Sequence, residues 1–297
     1  MSTHRTIWGA IALMCVAFAP TAVRATPPPY DAIYVFGDSY CDVGNVYTAT
    51  KGAIPAAPYY NGRFSNGPIW IDHVASAWGL PMAPSLLGGT DFAFGGAYVT
   101  SDQSTAFGAI PSVPHQVALY LSLTGGHADP KALYVIEGGG DDILNATGGS
   151  PQSLGFEIAA GIAESEFLLR RAGARHFLVP DLLDVGQLPA AKLNASFATA
   201  ASVAANNALD VLLEAEGFIE GVFIHRLDVF SLFHDVAKDS THFGFTDVTD
   251  PCLTSMVCAD PVHTLFWDTE HPTEFGHAFF AVTVEASLGR GDVAWKP

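Results

Sequence analysis

The sequence predicts an α/β fold, a three-layer α/β/α sandwich around a central, mainly parallel five-stranded sheet. Three patterns in its 297 residues predict it. Short, nearly continuous apolar runs end at Gly, Asp or Pro, as strands buried on both faces do. Longer stretches of helical periodicity alternate with those runs, the order expected of a parallel sheet covered by helices. Three of the runs are followed by glycine-marked loops, at the carboxyl edge where open parallel sheets bind ligands.

In chain order, the strands are expected at 32–37, 92–94, 132–137, 176–180 and 221–227. Helices are expected at 68–78, 113–123, 154–172, 196–216 and 274–288. The three loops carry Gly37-Asp38-Ser39, Gly95-Gly96 and Gly139-Gly140-Asp141. No repeat, heptad array or low-complexity tract divides the chain, so residues 26–297 read as one domain.

Residues 1–25 read as a secretory signal peptide. A basic start with Arg5 precedes an apolar run at 7–19, and Val23-Arg24-Ala25 resembles a small-residue cleavage site near Ala25. The run is shorter than the ~20 residues a membrane span needs. Cys15 follows bulky Met14, which argues against a lipoprotein. The expected destination is the periplasm or the medium.

Thirty acidic residues against 13 basic ones give a net charge of −17. Such a field repels a phosphate backbone, which excludes nucleic acid as a partner class. It equally opposes electrostatic attachment to anionic lipid, while transient apolar contact with lipid stays compatible. Nothing in the chain indicates an oligomeric state. Cys252 and Cys258 lie close together in a Pro-, Thr- and Ser-rich loop, and an oxidising destination predicts that they pair. Cys41, two residues after Ser39, reads as a small buried packing residue.

Two ends of the chain carry complementary chemistry. Val35-Phe36-Gly37-Asp38-Ser39 delivers a serine at a strand end, and Asp268-Thr269-Glu270-His271-Pro272 lies far downstream. A serine hydroxyl needs a base to become a nucleophile, and an imidazole serves near neutral pH. An aspartate three residues before the histidine can bond the other ring nitrogen and fix its tautomer.

These blocks, with Asp91-Phe92-Ala93-Phe94-Gly95-Gly96-Ala97 and Gly139-Gly140-Asp141-Asp142 between them, resemble in order the motifs of the GDSL (SGNH) esterases and lipases. Gly62-Arg63-Phe64-Ser65-Asn66-Gly67-Pro68, Phe243-Gly244-Phe245 and Phe266-Trp267-Asp268 resemble its secreted subgroup of lipases, haemolysin-like phospholipases, acyltransferases and choline-ester hydrolases. The sequence has no Gly-x-Ser-x-Gly elbow, against an ordinary α/β-hydrolase. The resemblance implies the SGNH-hydrolase, flavodoxin-like fold and a serine ester hydrolase acting on a lipid, phospholipid or small acyl ester. Ser39 would be the nucleophile, His271 the base and then acid, and Asp268 its orienter. The backbone N–H groups of Ser39 and Gly96 would form an oxyanion hole. No cofactor and no metal are implied.

The family's third oxyanion donor is an asparagine in Gly-x-Asn-Asp, and here that position is Asp141. An ionised carboxylate accepts and cannot donate. Three outcomes stay open: a weakened enzyme, a protonated donor, or an inactivated variant. Asp91 and Asp181 also stand where relatives carry asparagine and are given no catalytic role. His263 and His277 are read as packing or loop residues, and Phe64, Trp70 and Tyr98 as candidates to line an acyl pocket. A carbohydrate acetylesterase and a non-catalytic ester-binding descendant are the rival readings.

Overall fold

The computed structural model describes residues 29–214 and 219–288. The expected leader at 1–25 and the end of the helix expected at 196–216 lie outside those residues.

Four parallel strands form the central sheet: β1 (Ile33–Phe36), β4 (Leu133–Ile136), β5 (His176–Pro180) and β6 (Phe223–Leu227), adjacent in that order. All four residues of β4 are buried, because helices cover both faces of the sheet. Alternate side chains divide between two cores. Ile33, Val35, Leu133, Val135 and Leu178 pack under α2 (Trp70–Trp78) and α8 (Glu274–Ser287), with Trp70, Val74, Ala281 and Val284. Phe36, Tyr134, Ile136, Phe177 and Val179 face α3 (Val113–Leu123), α5 (Pro151–Ala172) and α6 (Ala195–Glu214). That alternation is the period-two pattern of a strand, and it produces the three layers.

The fifth expected strand, at 92–94, does not form. The segment does lie beside β1: Val35 N–H donates to Thr90 O at 3.1 Å, and Phe92 N–H donates to Val35 O at 2.7 Å. Side chains then take over its hydrogen-bonding groups. Ala93 N–H goes to the Asp91 carboxylate at 2.9 Å, and Ala93 O accepts from the Asn45 amide at 2.9 Å. The ladder is thereby reduced to a single bridge between Val35 and Asp91. Counting this bridging segment, the spatial order follows the 2-1-3-4-5 pattern, whose ligand crevice opens where β1 meets β4.

The helix boundaries follow local chemistry. Ser150 caps α5 by accepting from Ser153 N–H, and Pro151 occupies the first turn, where no amide hydrogen is needed. Gly79, with φ 66°, ends α2 in the left-handed region. Three further helices were not expected: α1 (Asn45–Ala49), α4 (Gly140–Leu144) and α7 (Val229–Lys238). Two small sheets complete the chain, a hairpin of β2 (Gln103–Thr105) and β3 (Gly108–Ile110), and a parallel pair of β7 (Asp247–Pro251) and β8 (Thr264–Phe266). Among the described residues no helix is long and apolar enough to cross a membrane.

Candidate active site

The turn after β1 is clamped before it reaches the serine. Gly37 donates to the Gln116 side-chain oxygen at 2.8 Å and accepts from its amide at 2.9 Å. Phe94 N–H also reaches Gly37 O, at 3.1 Å, which sets the Gly95-Gly96 loop against this turn. Beyond the serine, the buried Asp42 carboxylate accepts from the N–H groups of Gly44, Asn45, Val46 and Gly95 at 2.5–3.1 Å. Asp91, also buried, accepts from Val43 N–H at 2.8 Å. These aspartates tie the loops that follow β1 and the 91–94 segment into one block. Ser39 sits in it with only 7% of its surface exposed.

The histidine arrives from the other end of the chain. Trp267 N–H donates to His271 O at 2.7 Å, closing the loop between β8 and α8. The Asp268 carboxylate lies 2.8 and 2.9 Å from His271 Nδ1. It can only accept, so Nδ1 carries the hydrogen and Nε2 presents a lone pair. Nε2 is 2.7 Å from Ser39 Oγ, within reach of the hydroxyl proton.

Asp268 is held ionised. Its Oδ1 accepts from the N–H groups of Glu270 and His271 at 2.8 Å, and its Oδ2 accepts from the Tyr59 hydroxyl at 2.7 Å. Burial opposes the charge, but the hydrogen bond and charge of His271, with Tyr59 and Glu270, bring the carboxyl down to about 2. For His271, burial disfavours the cation; the Asp268 bond and charge outweigh it and lift the imidazole above its usual value. The Cys252–Cys258 disulfide, with Cα atoms 4.7 Å apart, braces this arm. Cys252 N–H donates to Phe266 O at 3.0 Å and Leu253 N–H to Trp267 O at 2.6 Å, directly before Asp268.

The opposite wall is built by the turn after β4. Gly139 caps α4 with φ 106°, and a Cβ there would lie 2.6 Å from Ile158 and 2.9 Å from Leu182. Only glycine meets both conditions. The turn places Asp141 in the same cavity as Asp38, Ser39, Glu137 and His271. Asp142 points away, accepting from Val99 N–H at 2.8 Å and from the Thr100 hydroxyl at 2.5 Å. The Ser39 and Gly96 backbone N–H groups have no acceptor among the described residues. Gly96, at φ 81°, holds a conformation that favours glycine.

The carboxyls on this wall differ sharply from Asp268. Burial raises Asp38 to about 6, against a hydrogen bond from Tyr40 N–H and the charge of His271. Burial and the Asp38 charge push Glu137 well above the carboxylate range, and its carboxyl accepts from Asp38 N–H at 3.5 Å. Burial and the charges of Asp38 and Glu270 raise Asp141 well above its usual value, with His271 acting the other way.

From these groups the cavity runs beneath α7 and α8, lined by Leu182, Val185, Leu188, Phe233, Val236 and Phe279. Of the candidate aromatic residues, Trp70 lines it, whereas Phe64 faces the His271 ring at 5.3 Å. Tyr98 is not in the lining and stands near Asp141 instead. Asp181 pairs with Arg226, and His263 with Asp260 at 2.9 Å on the surface. His277 is buried beside the site, where burial and the charges of His271 and His73 bring it down to about 3. It is therefore neutral.

The sequence reading missed Tyr59, Glu137 and Asp42. Tyr59 meets Asp268 across 209 positions, and no local pattern marks such a partner. Glu137 closes a strand and reads as its terminus. Asp42 was legible: an aspartate two residues before a glycine and three before an asparagine is a turn-forming pattern.

The chain matches the family profile described as GDSL-like Lipase/Acylhydrolase over residues 33–283. It is 27% identical over 304 residues to the thermolabile hemolysin of Vibrio parahaemolyticus, a match covering 94% of this chain and 66% of that one. The chain thus spans about two thirds of the hemolysin's length. It is 26% identical to the phosphatidylcholine-sterol acyltransferase of Aeromonas hydrophila, covering 82% of this chain and 72% of the relative. The GDSL esterase/lipase At5g55050 of Arabidopsis thaliana is also 26% identical, at 82% of each chain. With the profile covering most of its length, the chain belongs to the GDSL-like lipase/acylhydrolase family and is a carboxylic ester hydrolase.

Proposed function

We propose that this chain is an exported serine ester hydrolase that forms an acyl-enzyme on Ser39. The observation that carries the reading is the continuous hydrogen-bonded line from Ser39 Oγ to His271 Nε2, at 2.7 Å, and from His271 Nδ1 to Asp268, at 2.8 Å. His271 takes the serine proton as Oγ attacks the ester carbonyl. Asp268 holds the ring and stabilises the imidazolium that forms. The N–H groups of Ser39 and Gly96 face the oxygen that becomes negative. His271 then protonates the leaving alcohol, and water, activated by the same base, releases the acid. A second alcohol in place of water makes the reaction an acyl transfer.

Acyl esters of lipids are the favoured substrates, because the cavity next to Ser39 is walled by aliphatic and aromatic side chains. A sugar acetate would leave most of that wall without contact, which disfavours a carbohydrate acetylesterase. The hemolysin and sterol acyltransferase among the relatives agree in type with a lipid substrate. Export rests on the leader read at 1–25. A second reading, a non-catalytic ester-binding descendant, is favoured by one observation, the carboxyl of Asp141 at a donor position.

A fluorophosphonate tests the reading. Folded protein should gain one adduct on Ser39, located by peptide mass spectrometry and absent from Ser39→Ala. Folded protein without the adduct would exclude the acyl-enzyme.

A further inference from the structure

We infer that Asp141 takes part in the reaction as a neutral carboxylic acid. Its O–H donates to the oxyanion beside the Ser39 and Gly96 N–H groups, and turnover fails on the alkaline side when that proton is lost. The inference rests on the acyl-enzyme reading above and deepens it.

The geometry carries it. Asp141, in the α4 turn, lines the cavity that holds Ser39 and His271, and it occupies the position at which the family resemblance places a third oxyanion donor. The titratable groups around it come from several elements, among them Asp181 at the end of β5, paired with Arg226, and His277 from α8, both lining the same cavity. Asp38 comes from the turn after β1, Asp142 from the same α4 turn, and Glu270 and His271 from the loop before α8. The Tyr98 phenol faces it from the loop after Gly96, and Glu137 shares the cavity. No Lys or Arg lines that cavity among the described residues. The Asp141 carboxyl also receives no hydrogen bond from any described donor. An ionised Asp141 would be a half-buried anion facing other carboxyls, with neither donor nor cation among the described residues to offset its desolvation. His271 does not provide that cation, because a base waiting for the serine proton is neutral.

Chemistry points the same way. A carboxylate beside the tetrahedral intermediate would repel the charge forming there, while a carboxylic acid offers the O–H that an asparagine amide would otherwise supply. The surrounding acidic groups, which look unfavourable for an oxyanion hole, are what keep the proton on Asp141. Burial together with Asp38 and Glu270 holds it well above the ordinary carboxylate range. Two protonation states must coincide, His271 neutral and Asp141 neutral, so kcat/KM should trace a bell. The acidic limb belongs to His271 and the alkaline limb to the carboxyl cluster.

The test is kcat/KM for 4-nitrophenyl butyrate from acidic to alkaline pH, in wild type, Asp141→Asn and Asp141→Ala, with folding verified by near-ultraviolet circular dichroism. The asparagine amide donates at every pH, so Asp141→Asn should lose the alkaline limb and exceed wild type there by about a hundredfold. On the acidic side the two should converge. Asp141→Ala removes the donor and should fall about a hundredfold below wild type at acidic pH. An Asn-to-wild-type ratio that stays constant across pH, or an alanine variant as fast as wild type in acid, would overturn the inference. Fluorophosphonate labelling of the same preparations separates the two levels. Labelled Ser39 with a constant ratio defeats only the role of Asp141, whereas unlabelled wild type defeats the acyl-enzyme as well.

Discussion

Two aspartates flank Ser39 and His271, and their surroundings give them opposite chemistry. Asp268, in the loop before α8, receives backbone N–H groups, the Tyr59 hydroxyl and the imidazole N–H. Asp141, in the α4 turn, receives no hydrogen bond on its carboxyl from any donor among the described residues and faces Asp38 and Glu270. Both are half-buried, so burial alone does not separate them. Donors and neighbouring charge do. One carboxyl is brought down to about 2 by its donors, while the other is raised by burial and the charges beside it.

The largest effect that could break this comparison comes from Asp268→Asn. The amide can donate towards Nδ1 and favour the wrong tautomer, so kcat should fall about 10⁴-fold. A fall of less than tenfold would show that Asp268 does not orient the base. Next comes the brace behind it. Converting Cys252 and Cys258 to serine should cost about 2 kcal/mol of stability, read from urea unfolding. An unchanged midpoint would mean that the β7–β8 pair holds the arm without the bridge.

Tyr59→Phe removes one donor from Asp268. It should raise that carboxyl and lower kcat/KM roughly tenfold, the equivalent of about 1.5 kcal/mol for a hydrogen bond to a charged group. Rates equal to wild type would put the bond outside catalysis. The smallest effect is expected from Glu137→Gln. If Glu137 is already neutral, the amide preserves both its shape and its acceptance from Asp38 N–H, and stability should change by less than about 1 kcal/mol. A large gain in stability at neutral pH would mean that the wild-type group is ionised.

The two aspartates also shape stability against pH in opposite ways. Asp141 and Glu137 keep protons in the folded state that the unfolded chain releases above the ordinary carboxylate range. Stability should therefore decline as pH rises from that range towards their raised values. Asp268 adds stability that is present above its unfolded value and lost as pH falls towards about 2. Urea unfolding across pH should show both slopes, and Glu137→Gln with Asp141→Asn should flatten only the first.

How much of this was legible in the sequence differs between the two walls. Strands at 33–36, 133–136, 176–180 and 223–227 stood out, because a sheet covered on both faces forces apolar residues to run together. The 92–94 segment has the same composition. It failed as a strand because Asp91 and Asn45 claim its backbone groups, a contest that composition does not reveal. Helix α7 was missed although its start was written locally, with Asp228 accepting from Ser231 N–H. Ser39, Asp268 and His271 were readable as residue types at ordered positions. The state of Asp141 was not, since it depends on Asp38 and Glu270 arriving from distant loops.

The Ser39–His271 hydrogen bond joins residues 232 positions apart, and that separation has a consequence for the timing of activity. All residues up to 271 must be synthesised before the proposed base exists, and α8 must dock on α2 before His271 is held in place. A growing or truncated polypeptide carries the serine but lacks the group that activates it. An enzyme that cleaves lipid esters would endanger the membranes of the cell that makes it. In this fold the delay is built into the order of the chain: on the proposed mechanism, hydrolysis begins only after His271 has been made and its arm has folded.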